Sequence, residues 1–402
     1  MKATIAIIGG GAAAISFATR IDTKKYNVCI FEKQKRLGSK LLVAGKGGFN
    51  LTHSEDIHTL KQRYVPSDFL LDALTLFDNA DLRKFFTSIG IPTFVGSSKR
   101  VFPLSTIKPT KVVEALIAHI KKRAIAIHTR VTFIDFSKTG NRYEILLKDQ
   151  NQTKLVMADF IVFALGGASW HVTGSTGDYL SLFNEKGIKT YPFQASNCAV
   201  EISWPTQIIR KIEGKPIKNI AVTVNERTHF GEIMVTKFGL EGTPVYALSP
   251  QIRAGLKKEK RQKIYIDFKP AVNHASLEEK LNRPQKGNWT AHVEKQLNLT
   301  KVQMVLLKNA TSKDEFQTVS ALIKYVKELP LEIVNLAPID EAISTVGGIS
   351  LEAVNSNFEL VDMKNVFVLG EMLNWDAPTG GYLIQACMSM GQYAANYLNQ
   401  LK

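Results

Sequence analysis

The chain has 402 residues, 45% hydrophobic and 22% charged, enough to bury a sizeable core across two or three domains. No apolar run approaches the ~18 residues needed to cross a bilayer, so a membrane span is excluded. The formal charge of +15 favours polyanionic partners, nucleic acid first, or else a solvated lysine-rich surface.

The first element carries the most information. Ala3 to Ile8 (ATIAII) reads as a strand, Gly9, Gly11 and Ala14 complete Gly-x-Gly-x-x-Ala, and Ala12 to Arg20 continues as a helix of small residues. A second strand, Val28 to Phe31, ends on Glu32. That acid lies about 20 residues past the turn, where a ribose-binding carboxylate is expected. Gly9 permits the tight turn, Gly11 lets a pyrophosphate approach the backbone, and Ala14 lets helix and strand pack closely. The free amides and positive dipole end of the helix then face the phosphates. Lys2 and this apolar stretch superficially resemble a signal peptide, but the glycine fingerprint argues for a nucleotide site.

Gly38 to Asn50 is glycine-bearing and reads as irregular; Asp81 to Ile89 and Pro109 to Lys122 read as helices. Residues 127–147 read as strands. Phe160 to Leu165 is a buried parallel strand ending at Gly166-Gly167. The character changes near Pro192. Cys198 to Ile202, Ile220 to Val224, Glu232 to Thr236 and Ile264 to Phe268 suggest a β-rich insertion. A basic run, Lys257, Lys258, Lys260, Arg261 and Lys263, leads into the last of these strands. Leu277 to Leu329 reads as helical with one break around Arg283 to Asn288. Strand-and-glycine patterning returns near Pro338, with a short strand Val366 to Leu369, Gly370-Glu371, and a final helix Tyr382 to Leu398 behind Gly380-Gly381. The expected division is 1–190 and 337–402 for one interrupted nucleotide domain, 191–272 for the β-rich insertion and 273–336 for a helical segment.

Gly166-Gly167 and Thr379-Gly380-Gly381-Tyr382 are each consistent with ordinary turns. Taken with the N-terminal fingerprint they fit a long ligand with several backbone contacts, such as FAD. There is one dinucleotide fingerprint, and Cys29, Cys198 and Cys387 form no CxxC or redox pair. NAD(P)H, if it is the reductant, then visits the flavin without a Rossmann domain of its own. The cysteine spacing also argues against a zinc site and fits a reducing cytoplasm.

Several segments resemble the BaiN/RdsA (YhiN-type) family of NAD(P)/FAD-dependent oxidoreductases. They are GSKLLVAGKGGFNLTHSE (Gly38 to Glu55), RVFP (Arg100 to Pro103), ALGGASW (Ala164 to Trp170) and GEMLNWDAPTGGYLIQACMSMG (Gly370 to Gly391). PFQASNCAVEISWP and GLEGTPVYALS resemble one subgroup of it. The resemblance implies an α/β fold: an FAD-binding Rossmann domain of glutathione-reductase type with an inserted β-barrel and a small helical domain. It implies that Gly9, Gly10, Gly11 and Ala12 to Ala14 hold the pyrophosphate, that Glu32 binds the adenosine ribose with Lys33 and Lys40 nearby, and that Val131 meets the adenine. Gly45, Lys46, Gly47, Gly48 and Asn50 would line the isoalloxazine. Ala164, Gly166, Gly167, Gly370, Glu371, Thr379, Gly380, Gly381 and Tyr382 would complete the cofactor contacts. One branch of the family reduces uridine to dihydrouridine in ribosomal RNA and another acts on bile acids. The implied activity is an NAD(P)H-driven FAD reductase acting on ribosomal RNA; the alternatives are a small-molecule reductase or oxidase and a flavin-containing RNA-associated protein.

The flavin itself carries hydride, leaving the chain to supply binding and a proton. Cys198 is a candidate acid, although cysteine is often a small buried hydrophobe. Arg100 and Lys46 could bind a phosphate or stabilise reduced flavin, or be loop cations. His53 either caps local structure or donates a proton.

Overall fold

The computed structural model describes residues 2–44, 48–150, 152–285 and 287–401. Two compact units emerge, residues 1–194 with 343–402, and residues 195–342.

The first unit begins β1 (Ala3–Ile8), α1 (Ala12–Arg20), β2 (Tyr26–Glu32), α2 (Ser39–Ala44), β3 (Thr52–His53), α3 (Ile57–Lys61), α4 (Leu71–Leu76) and α5 (Asn79–Ser88). It continues β4 (Thr93–Val95), β5 (Arg100–Pro103), α6 (Pro109–Lys121), β6 (Ala126–Thr129), β7 (Val131–Thr139), β8 (Arg142–Asp149), β9 (Gln152–Ala158), β10 (Phe160–Phe163), α7 (Leu180–Glu185) and β11 (Thr190–Ser196). The second unit holds β12 (Val200–Ile202), α8 (Thr206–Ile212), β13 (Pro216–Val224), β14 (Arg227–Val235), β15 (Gly239–Glu241), α9 (Thr243–Ala247), α10 (Ser249–Glu259) and β16 (Gln262–Asp267). Five helices follow, α11 (His274–Leu281), α12 (Trp289–Gln296), α13 (Lys301–Ala310), α14 (Lys313–Gln317) and α15 (Val319–Lys327), then β17 (Leu329–Leu336). The chain returns to the first unit with β18 (Ser344–Ile349), β19 (Val366–Val368) and α16 (Tyr382–Gln400).

A five-stranded parallel sheet, β19-β10-β1-β2-β6, organises the first unit. Its central strand β1 is almost wholly apolar because both of its faces are covered, and Ile5 to Ile8 are buried. Helices α1 and α16 cross closely. Gln392 Nε2 donates to the Ser16 carbonyl at 2.9 Å, and a Cβ on Gly391 would stand 2.5 Å from the Ala13 carbonyl oxygen. Two three-stranded antiparallel sheets are inserted between strands of the parallel sheet in the chain, β3-β5-β4 between β2 and β6 and β7-β8-β9 between β6 and β10. This is the Rossmann-type FAD-binding fold expected from the fingerprint.

In the second unit, β12-β15-β14-β13-β16-β17 close into a barrel. Its interior alternates as a barrel requires, with Ile220, Val222, Val224, Ile264 and Ile266 inward.

Two expectations are corrected. Gly38 to Asn50 is not wholly irregular, because Ser39–Ala44 is helical. Gly38, at φ +71°, turns the chain, after which SKLLVA carries no Gly or Pro and buries Leu41. The stretch 277–329 has more than one break. Thr300 and Ser312 each close a capping box with Gln303 and Glu315, starting new helices where a continuous one was expected. No helix among the described residues is long and apolar enough to cross a membrane.

Candidate functional site

The first unit contains a cavity of about 430 Å³ lined by Gly9 to Gly11, Glu32, Lys33 and Val131, among others. The β1–α1 turn builds its floor. Gly9 has φ +102°, and a Cβ there would lie 2.3 Å from the Ala164 carbonyl oxygen, so only glycine fits. Gly11 differs. It is the N-cap of α1 at φ −81°, makes no side-chain cap, and a Cβ on it would meet nothing within 4 Å. The amides of Ala12, Ala13 and Ala14 in the first turn cannot be satisfied within the helix. In the helices α11 to α14 a side-chain oxygen at the N-cap takes up one such amide; here that place is open space.

Glu32 closes the adjoining wall. Its Oε2 accepts from the Gly10 amide at 2.6 Å and its Oε1 from the Gln34 amide at 2.7 Å. Burial pushes the carboxyl above its ordinary range, against the pull of these two hydrogen bonds. Each oxygen keeps acceptor capacity for a hydroxyl. Lys33 Nζ donates to Thr176 Oγ1 at 2.9 Å, and Val131, buried at the start of β7, lines the same cavity.

Lys40, expected near Glu32 and the ribose, lines the same cavity as Glu32 and Lys33. There it is held in an ion pair with Glu371 at 2.8 Å, and it donates to Ser169 Oγ at 2.9 Å. Thr345 donates its amide to the other Glu371 oxygen at 2.9 Å. The room left by Gly167 is filled by this cluster, since a Cβ there would lie 2.1 Å from Thr345 Oγ1. Gly166, at φ +79°, accepts from the Tyr179 hydroxyl through its carbonyl. Gly370, at φ +83°, packs on Ala13, where a Cβ would stand 3.1 Å from the Ala13 Cβ. Ser169 and Thr345 were missed in the sequence because no local pattern marks them.

A third group gathers at the start of α16. Gly380 and Gly381 are left-handed, at φ +114° and +103°, and a Cβ on Gly381 would lie 2.5 Å from Thr52 Cα. Thr379 precedes them, half-buried. Gly48, at φ +103°, packs on the Phe102 ring, and the buried Asn50 Oδ1 has no hydrogen-bond partner. Gly45, Lys46 and Gly47 lie outside the described residues. Tyr382 donates to Glu55 Oε1 at 2.8 Å, and Arg63 grips the same carboxylate through Nε and Nη2 at 3.1 and 2.8 Å. Burial drives the Glu55 carboxyl up, but the bonds from Arg63 and Tyr382 outweigh it and hold it below the usual range. His53 stacks on Tyr382 at 5.3 Å, and its Nδ1 accepts the Glu55 amide at 3.2 Å, so the ring serves as a local cap. Arg100 lies against Gly380.

Cys198 sits in the second unit, buried against Ala195, Ala337 and Ala342. In the first unit, burial raises the thiol of Cys387 to about 12 and that of Cys29 above its ordinary value. Among the described residues, no group of three His, Cys, Asp or Glu side chains could hold a metal ion. FAD passes the test of fit on two counts. The space at Gly11 would admit a pyrophosphate, and the orphaned Asn50 Oδ1 offers an acceptor that nothing in the described chain uses.

The family model described as "HI0933-like protein Rossmann domain" matches residues 3–397. A 3-dehydro-bile acid delta(4,6)-reductase from Clostridium scindens is 24% identical over 407 residues, covering 97% of each chain. A ribosomal RNA dihydrouridine synthase from Haemophilus influenzae is 21% identical over 393 residues, covering 94% of each. Among solved structures, a 3-ketosteroid delta1-dehydrogenase from Sterolibacterium denitrificans superposes with a TM-score of 0.53 at 13% identity over the full length of both chains. That likeness is one of fold.

Proposed function

The chain belongs to the HI0933-like Rossmann family, and from that premise we propose that it is an FAD-dependent reductase that saturates a carbon–carbon double bond conjugated to a carbonyl, with NAD(P)H as the electron source. FAD, when bound, supplies the hydride. The chain's own residues hold it: the amides of Ala12 to Ala14 on the pyrophosphate, Glu32 on the adenosine ribose, and the start of α16 with Asn50 toward the flavin end. The observation that carries this reading is the open space at Gly11, bordered by helix amides and facing a cavity in which Glu32 stands ready to accept a hydroxyl. The bile-acid and dihydrouridine enzymes support the chemistry, because each name describes the saturation of a ring that also bears a carbonyl.

The test is anaerobic. NAD(P)H should bleach the bound flavin, and a conjugated ring ketone should restore its colour. A flavin that NAD(P)H reduces but no conjugated carbonyl reoxidises would refute the reductase reading.

Ribosomal RNA as substrate is a second reading, favoured by the +15 charge and by Lys257, Lys258 and Lys260, all exposed at the end of α10. It places the enzyme in the cytoplasm. Deleting the gene should then lower dihydrouridine in large-subunit ribosomal RNA, measured by nucleoside mass spectrometry; an unchanged level removes RNA as the substrate. Neutralising the lysines should weaken RNA binding and its salt dependence while leaving the flavin bound.

A further inference from the structure

We propose that Arg100 binds the carbonyl oxygen of the substrate and that Phe94 and Phe102 support its ring, an assignment that rests on the reductase reading above. The β3-β5-β4 sheet creates the juxtaposition. Arg100 and Phe102 are two residues apart on β5 and share a face, while Val101 and Pro103 between and beyond them are buried on the other. Phe94 is the registered partner of Phe102, and their rings stack at 5.6 Å and 25°. His53 is the registered partner of Arg100. One face of three short strands therefore presents His53, Arg100, Phe102 and Phe94 together.

That face meets the turns assigned to the flavin end. A Cβ on Gly380 would lie 3.2 Å from Arg100 Nε, and one on Gly48 would lie 3.5 Å from the Phe102 ring. The neighbouring charges are accounted for, with Arg63 paired to Glu55 and Lys40 to Glu371. Arg100 has no such partner. It is half-buried, and among the described residues no carboxylate lies within 4 Å of it and no acceptor takes its hydrogen bonds. A guanidinium withdrawn from water without an oxygen partner is costly, and its planar donors suit an oxygen with two lone pairs.

The surroundings narrow the ligand. Phe94 and Leu104 are each 40% exposed on the same face as the cation. A free phosphate gains nothing from such a surface. A fused-ring ketone with a conjugated double bond uses both parts, its rings on the aromatic shelf and its oxygen on Arg100. Reduction would place a hydride from the NAD(P)H-reduced cofactor on the carbon β to the carbonyl and a proton from water on the α carbon. The π electrons move toward the oxygen, so negative charge grows beside the guanidinium, where it is stabilised.

The experiment uses the purified, FAD-loaded protein titrated with 4-androstene-3,17-dione, with binding read from the flavin absorbance change. Arg100→Gln should raise Kd at least tenfold, Arg100→Lys should recover part of the loss, and Phe94→Ala should also weaken binding. Flavin content and midpoint potential should stay at wild-type values in all three. Arg100→Gln with wild-type affinity and a moved potential would assign Arg100 to the cofactor and overturn the proposal. Reoxidation of reduced wild type and Arg100→Gln at equal rates by a uridine oligonucleotide, with no steroid bound, would overturn it while leaving the reductase reading in place. Reoxidation by no conjugated carbonyl at all would bring down both.

Discussion

Gly11 separates folding from cofactor binding. Its backbone is extended, at φ −81° and ψ −170°, and a Cβ there meets no protein atom within 4 Å. Gly11→Ala should therefore leave the flavin-free protein as stable as wild type, or more stable by about 0.4–1 kcal/mol through the stiffer unfolded chain. In the holoprotein the same methyl group occupies the proposed pyrophosphate path. Losing one charge-assisted hydrogen bond from the helix amides costs about 1.5–3 kcal/mol, or roughly 10- to 150-fold in Kd. Gly11→Val, which is bulkier, should reach about 100-fold. FAD at 100 times the wild-type Kd stabilises wild type by about 2.7 kcal/mol, but a protein that binds 100-fold more weakly by only about 0.4 kcal/mol. Thermal melts of deflavinated protein with and without FAD would show the gap closing in the variant while the flavin-free melt stays in place. Gly9→Ala is the contrast, since its Cβ would strike the Ala164 carbonyl at 2.3 Å and folding itself should suffer. A Gly11→Val protein that purifies yellow, with its full FAD-dependent shift, would refute the site.

Glu55 gives a pH signature. Its carboxyl is depressed in the folded protein, so its contribution is present above the ordinary glutamate range and is lost as pH falls through the depressed value. Glu55→Gln should cost about 1–2 kcal/mol near pH 7 and far less near pH 3, in parallel denaturant titrations; an equal cost at both would mean that the Arg63 and Tyr382 bonds contribute no charge-dependent stability. Gly391→Ala would force a methyl group into the α1 backbone, 2.5 Å from the Ala13 carbonyl oxygen and 2.7 Å from the Phe17 nitrogen. It should lose about 1–3 kcal/mol in chemical denaturation, and an unchanged midpoint would contradict the close crossing of α1 and α16.

What could be read in the sequence was local. The strand, turn and helix at the N-terminus lie within the first 20 residues, and the helix occupies Ala12–Arg20 as its pattern indicates. The second strand starts earlier than its apolar run, at Tyr26, because Tyr26 and Asn27 pair with Ala3 and Thr4 on a neighbouring strand. Strand β9, QTKLVMA, is polar over its first three residues and pairs along its whole length with β8 alongside it. The site follows the same division. Glu32 stands close enough in sequence to its glycine turn to be recognised by spacing. Lys40 lines the same cavity, but the carboxylate it pairs with is 331 residues away and nothing in the local sequence marks it. Arg100 is the extreme case. The sequence marks it through the RVFP segment as a cation that could bind a phosphate or stabilise reduced flavin, and leaves a plain loop cation equally open. The absence of a partner is a property of where every acid in the described chain comes to rest, so only the fold chooses between those readings and makes Arg100 the residue to change first.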